Sequence, residues 1–250
     1  MTHSRFIAVP LLPKSKVALC CVSCKVTEVI AALRARGIEV LEMPESRILP
    51  RPIASHADVQ LLPLGGNRLL LNEEHSALKL QLEQRGFDVY AVGGFADRYP
   101  YDCRLNCLPI GTKLYCNAKA VWPPLLEQYE AVSVNQGYTR CSSLLLAENA
   151  LITDDPSIAA AARLQGVLSG YFPQCEVVLQ GYDHGFLGGC CGLLSEREVA
   201  VCGNSGEGGL FRQLEAHLAA LGYQLTSLSS GPLADIGGIV PLMERAADGD

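Results

Sequence analysis

The sequence predicts an α/β fold of five ββαβ-type units, closed into a ring by its last strand. Two observations carry this reading. Five segments share one pattern, in which small or polar residues pass into an apolar run that stops at a Gly- or Glu-containing turn: "ADVQLLPLG" from Ala57, "DCRLNCLPIG" from Asp102, "RCSSLLLAE" from Arg140, "GCCGLLSE" from Gly189 and "DIGGIVPLME" from Asp235. The first four lead at once into a second β-rich run ("NRLLLN", "TKLYCN", "NALIT" and "REVAVCGN"), which makes each pair a β-hairpin, whereas the fifth has no partner downstream.

The partner is at the other end of the chain. There "KVALCC" reads as a second strand, "KVTEVIAALRARG" as a helix with Val26, Val29, Ile30 and Leu33 on one side, and "IEVLEM" as a third strand. That unit lacks a first strand, and the C-terminal copy supplies it. Ring closure removes an exposed sheet edge.

The remaining helices follow the hairpins in order. "EEHSALKLQLEQRG" ends at Gly86 and is followed by the strand "FDVYAV". "WPPLLEQYE" with "AVSV" is the shortest pair. In "DDPSIAAAARLQG" either Asp154 or Asp155 can cap and Pro156 suits the first turn, with "CEVVLQ" as the expected third strand. In the last unit Phe211, Leu214, Leu218 and Leu221 share a face at 3.6-residue spacing, ahead of "GYQLTSL". The expected units are 16–44 with 235–243, 55–93, 99–135, 137–180 and 185–229, all in one domain spanning 1–250.

Composition narrows the function classes. The 250 residues are 49% hydrophobic, so a substantial core can be buried. Net charge is −6, with no basic run suited to phosphates, so neither nucleic acid nor an anionic membrane is an expected partner. No apolar stretch approaches the roughly 20 residues of a membrane span, and the N-terminus lacks the pattern of a secretory signal, which points to the cytoplasm. The 11 cysteines are an odd number in a chain too large for a disulfide-stapled mini-domain, and read as reduced, mostly buried thiols.

The segments "SHADVQLLPLGGNRLLLN", "YPYDCRLNCLPIGTKLYCN", "QGYTRCSSLLLAENALIT", "GYDHGFLGGCCGLL" and "ADIGGIVPL" resemble the pentein, or guanidino-group-modifying enzyme, superfamily. The likeness runs from about Lys16 to Glu244 and is to an uncharacterised offshoot, not to one of the named enzymes. It implies a five-bladed α/β propeller with a site at the centre of the ring, where the first strands begin. In the enzymes of the superfamily a cysteine on the closing strand attacks the guanidinium carbon, a histidine at the start of the fourth unit acts as acid and base, and carboxylates hold the guanidinium nitrogens. Here the closing strand has Gly237, Gly238 and Ile239 at the place of the cysteine, and Tyr138 or Thr139 stands near the place of the histidine. A non-catalytic member, the ribosome anti-association factor, shows that the fold also serves as a scaffold.

The resemblance selects the candidate residues. Asp58, Asp102, Asp183 and Asp235 lie at or near first-strand starts, and with Arg140 they are the expected ligand-binding set; singly, each Asp could also be a turn cap. His56 and His184 are the histidines near strand starts, as His75 and His217 fall in helices and His3 in the tail; either could be a general base or a structural histidine. Cys141 and Cys190 could be a displaced nucleophile, with Cys191 then facing the other way because strand side chains alternate; the alternative is that both are buried small hydrophobes.

Two other motifs are weaker. Cys20, Cys21 and Cys24 form one CxxC, and Cys103 with Cys107 makes no convincing second pair, so no metal site is expected. "GNSGEGG" from Gly203 lacks the Lys-Ser/Thr ending of a P-loop and reads as a strand-to-helix link. No cofactor is implied. The expected function is binding of a small cationic, guanidino- or amino-acid-like molecule in an acidic central channel, by a hydrolase or transferase with an altered active site. The rival is a non-catalytic binding or interaction scaffold.

Overall fold

The computed structural model describes residues 4–173, 176–204 and 209–246, and within them the chain forms five small sheets. The first has four strands in the spatial order Ser4–Phe6, Val240–Arg245, Val17–Ser23, Glu39–Met43. Its closing strand, Val240–Arg245, runs antiparallel to Val17–Ser23 with Val240 opposite Cys21, so the two ends of the chain do pair. Each of the other four sheets is an antiparallel hairpin followed by a parallel third strand. The hairpins are Leu61–Pro63 with Arg68–Asn72, Leu108–Ile110 with Lys113–Cys116, Ser143–Ala147 with Ala150–Thr153, and Cys191–Ser195 with Glu198–Val201.

A parallel third strand needs a crossover, and the helix supplies it. Helices Thr27–Ala35, Ser76–Glu83, Leu125–Gln128, Pro156–Leu164 and Leu210–Ala220 each bury an apolar side, for example Val29, Ile30 and Leu33 in the first and Leu210, Leu214 and Leu218 in the last. Phe211 and Leu221 of the expected face are only partly buried. Of the two possible caps, Asp155 accepts from the backbone N–H groups of Ser157 and Ile158, a contribution of about 1 kcal/mol, with Pro156 in the first turn.

The structure corrects three expectations. The third strand of the fourth sheet is Leu168–Tyr171, not "CEVVLQ". Gly166 takes φ 74° and turns the chain straight back, as Gly37, Gly86 and Gly222 do in other units, and the strand follows two residues later in all four. Val178 instead makes an isolated parallel bridge to Ala234, and Cys175 lies outside the described residues.

The first strands also begin later than expected. Ala57–Gln60 is a helical turn and Gly188–Cys190 a 3-10 turn, while Ser142 N–H bonds to Tyr138 O and Asn106 N–H to Cys103 O in the corresponding turns. Finally, Ser4–Phe6 adds an unexpected strand to the outer edge of the closing strand.

Four apolar clusters join the sheets in sequence. One packs the first sheet on the second through Met43, Leu242, Leu61 and Leu71, another the second on the third through Leu62, Leu70 and Leu114. A third joins the third, fourth and fifth sheets through Tyr115, Leu151 and Val199. The last, with Ala200, Cys202, Cys20 and Val22, returns from the fifth sheet to the first.

Glu244 anchors the N-terminal segment to this frame. It is 3% exposed, accepts from Arg5 Nε at 2.9 Å through one oxygen, and through the other accepts the backbone N–H groups of Lys14 and Ser15. Between these anchors Leu11 takes φ 65° and packs on two of the clusters. Glu244→Ala leaves these donors without their acceptor and is expected to lower unfolding free energy by about 2 kcal/mol, read from the urea midpoint; an unchanged midpoint contradicts this anchoring.

Candidate functional site

The five turns that precede the first strands are tied to one another. Asp58 N–H donates to Gly237 O (3.0 Å), Gly238 N–H to Gly189 O (2.8 Å), and Gly189 N–H to Cys141 O (2.8 Å). Cys141 N–H then donates to Asn106 Oδ1 (3.1 Å), and Asn106 Nδ2 donates to Asp58 O (3.1 Å). This circuit passes once through a turn from every sheet and returns to its start. Asn106 is the one side chain in it; it is 2% exposed and also accepts from Arg140 N–H at 2.8 Å.

The turns pack too closely for side chains at two points. A Cβ on Gly189 would lie 2.1 Å from Asp235 Oδ1, and one on Gly237, where φ is 77°, would lie 2.4 Å from His56 Cα. Glycine is therefore dictated at both positions.

Above the circuit lies a cavity of about 210 Å³, lined by Ile53, His56, Tyr138, Cys141, Leu179, Tyr182, Asp183, His184, Phe186 and Asp235. His56, Cys141 and Asp235 are buried in its floor; Tyr182, Asp183 and His184 are exposed at its rim. Aromatic rings form one wall. Tyr138 stacks on Phe186 with centroids 5.8 Å apart, and His184 meets Phe186 edge-on at 5.8 Å.

Each buried acid has a partner. Asp235 accepts the backbone N–H of Phe186 through Oδ2 and of Gly237 through Oδ1, both at 3.0 Å, and its Oδ1 lies 3.6 Å from His56 Nδ1, which has no hydrogen-bond partner. Burial, and then the Asp58 carboxylate, raise the pKa of Asp235, with His56 opposing. Asp58 accepts from the Cys141 thiol at 2.9 Å through Oδ2, and its Oδ1 is unpartnered. Asp102 accepts from Tyr138 OH at 2.7 Å, with its own Oδ1 unpartnered.

Cys141 is consequently a hydrogen-bond donor. Burial raises its pKa well above the usual thiol value, the carboxylates of Asp58 and Asp235 raise it further, and the 2.9 Å hydrogen bond from Asn106 Nδ2 opposes them. The thiolate is disfavoured where a nucleophile would be needed.

Of the residues singled out in the sequence, the cavity brings together His56, Cys141, Asp183, His184 and Asp235. Asp58 and Asp102 stand one hydrogen bond behind its lining, through Cys141 and Tyr138. Arg140, 5% exposed, turns away and donates to Leu61 O at 2.9 Å. Together with Asp58, Leu11 and Gly238 it borders a separate water-sized space of about 20 Å³.

Cys190 is not in the cavity lining. Its thiol donates to Leu187 O at 3.0 Å, and its Sγ lies 3.5 Å from that of Cys191, so the two cysteines do not face opposite ways as strand alternation implied. Cys190 belongs to the 3-10 turn, and only Cys191 to the strand. Cys20 and Cys21 are buried strand residues, and among the described residues no cysteine forms a disulfide and no cluster of three or more His, Cys, Asp or Glu is placed to hold a metal ion. His3 and the Ser205–Gly208 part of the glycine-rich motif lie outside the described residues.

Sequence reasoning missed Asn106 and the aromatic wall. Asn106 could have been suspected as the single amide between Leu105 and Cys107 in an otherwise apolar run. Phe186 and Tyr182 carry no signal in a loop without periodicity.

Comparison with known proteins places this geometry. The family of unknown function DUF6873 matches residues 21–240. The chain belongs to that family. No curated protein sequence matches it. Among solved structures it is similar to the inosamine-phosphate amidinotransferase of Streptomyces griseus (11% identity, TM-score 0.61, 97% of this chain and 98% of that one). It is also similar to the amidinotransferase of the saxitoxin biosynthetic pathway from Microseira wollei (10%, 0.60, 96% and 98%). A third is a cysteine-to-serine variant of the DDAH from Pseudomonas aeruginosa, complexed with citrulline (12%, 0.54, 93% and 100%). The fold of this DUF6873 chain is therefore the pentein fold.

At the place where the resemblance puts the nucleophile, the DUF6873 chain has Gly237, Gly238 and Ile239 and no thiol. Gly237 is blocked by His56, and the thiol nearest the cavity comes from Cys141, in a different unit. If Cys141 is held as a thiol, iodoacetamide at neutral pH is expected to leave it unmodified in the folded protein and to alkylate it in denaturant, as read by peptide mass mapping. Rapid modification of the folded protein would contradict the assignment.

Burial also raises the pKa of Asp102, against the Tyr138 hydrogen bond. A folded pKa above the unfolded one contributes stability that is fully present below the ordinary carboxylate pKa and lost as pH rises through the folded value. Asp102→Asn keeps an acceptor for Tyr138 and removes the charge. It is expected to flatten the decline of unfolding free energy across that window; an unaltered slope contradicts the assignment.

Proposed function

We propose that this protein is a single-domain, cytosolic five-bladed α/β propeller that binds a small cationic, guanidino- or amino-acid-like molecule in the cavity at the head of its central channel. Support for the closed ring comes from the hydrogen-bond circuit and from the apolar clusters that lead from each sheet to the next and back to the first. The observation that carries the ligand reading is the cavity itself. A space of about 210 Å³, with a buried carboxylate in its floor, an exposed one at its rim and two more directly behind its lining, favours a positive guest.

His56 and His184 are the candidate polar contacts for the rest of the ligand, with Asp235 and Asp183 closest to its charge. Asp58 and Asp102 act through Cys141 and Tyr138, and Arg140 moderates the field of Asp58 from behind. A thiol nucleophile in an altered hydrolase or transferase reaction would be Cys141, since Cys190 lies outside the lining, and His56 or His184 would be the general base toward that thiol or a water.

The second reading, a non-catalytic binding protein, is favoured by one specific observation: the thiol in the lining, Cys141, is buried and bonded to a carboxylate, both of which favour its protonated form. Binding without the superfamily's covalent chemistry accounts for both the cavity and that thiol.

Thermal-shift titration with arginine, agmatine, citrulline and related amidines tests binding. A ligand of the native state is expected to stabilise it by about 2.7 kcal/mol at 100 times its Kd, with the melting temperature rising with ligand concentration. Absence of any shift with these compounds and with other organic cations of this size would remove the ligand reading and leave the scaffold role.

A further inference from the structure

The cavity is poorly equipped for a guanidinium and better equipped for a cation without N–H donors. A guanidinium brings five N–H groups, and each one desolvated without an acceptor is costly. The lining offers one buried carboxylate, Asp235, and both of its oxygens already accept backbone N–H groups. The other two buried acids are screened from the cavity by the Cys141 thiol and the Tyr138 ring. The one other carboxylate of the lining among the described residues, Asp183, stands at the exposed rim, so no buried carboxylate with both oxygens free faces the space to form the bidentate fork that suits a planar cation.

What the lining offers instead is aromatic and aliphatic surface around a negative field. Tyr138, Phe186 and Tyr182 border the cavity with Ile53 and Leu179, while Asp235, Asp183, Asp58 and Asp102 set its sign. Arg140, next in sequence to Cys141 of the lining, donates instead to Leu61 O. Rings around an anionic field attract an alkylated ammonium through the ring quadrupole and require no hydrogen bond from it.

We propose that the cavity bounded by Tyr138, Phe186, Tyr182 and Asp235 selects a quaternary or fully alkylated ammonium head over a guanidinium, an inference that rests on the cationic-ligand reading above.

Isothermal titration of the full chain with tetramethylammonium, choline and glycine betaine, against guanidinium and agmatine, separates the possibilities. The expected result is that at least one alkylated ammonium binds about tenfold or more tighter than either guanidino compound. Phe186→Leu, which keeps apolar volume but removes the ring, is expected to weaken that binding roughly two- to thirtyfold. Tyr182→Leu at the exposed rim tests the same wall if the Phe186 variant does not fold.

Tighter binding of agmatine or guanidinium would overturn the selectivity and leave the cationic-ligand reading standing. Binding of none of the five would overturn both. Unchanged ammonium affinity in the folded wall variants would overturn the aromatic basis of the proposal.

Discussion

The hydrogen-bond circuit through Asp58, Gly237–Gly238, Gly189, Cys141 and Asn106 is the constraint on which the rest of the structure depends. Each turn that leads into a first strand satisfies its backbone groups on a turn from another sheet, so no sheet can shift without exposing a buried donor or acceptor in its neighbour. Where backbone could not span the gap, between the second and fourth turns, the Asn106 amide bridges it, its oxygen accepting and its nitrogen donating. The close approach this demands explains glycine at 189 and 237.

The same constraint shapes the chemistry. Drawing the turns together buries Asp58, Asp102 and Asp235, with Asp58 and Asp235 within reach of each other's fields, and each acid is held by a donor: a thiol, a phenol or two backbone amides. A cysteine placed among buried carboxylates is pushed toward its protonated form, the reverse of the electropositive surroundings that make a thiolate.

Much of the fold was legible because it repeats. The pairing of the chain ends followed from an unpartnered fifth copy, and four of the five helices from apolar spacing and caps. What failed was local. "CEVVLQ" looked like a strand by composition, yet the left-handed Gly166 had already started the strand two residues later, at Leu168. The first-strand starts read as extended because their residues are small and apolar, although helical turns satisfy their backbone in the circuit. That misreading set Cys190 and Cys191 on opposite faces and gave Cys190 a place in the cavity. Of the site, the acids, His56, His184 and Cys141 were readable from their positions in the repeat; Asn106 and the aromatic wall depend on contacts between units, which no single segment encodes.

Native-state hydrogen exchange at the amides of Asp58, Cys141, Gly189 and Gly238 tests the circuit most directly. If the five turns hold one another, all four should exchange only through a common opening whose free energy matches global unfolding and falls equally with denaturant. Exchange of any one of them through a separate, low-energy opening of its own unit would contradict the account.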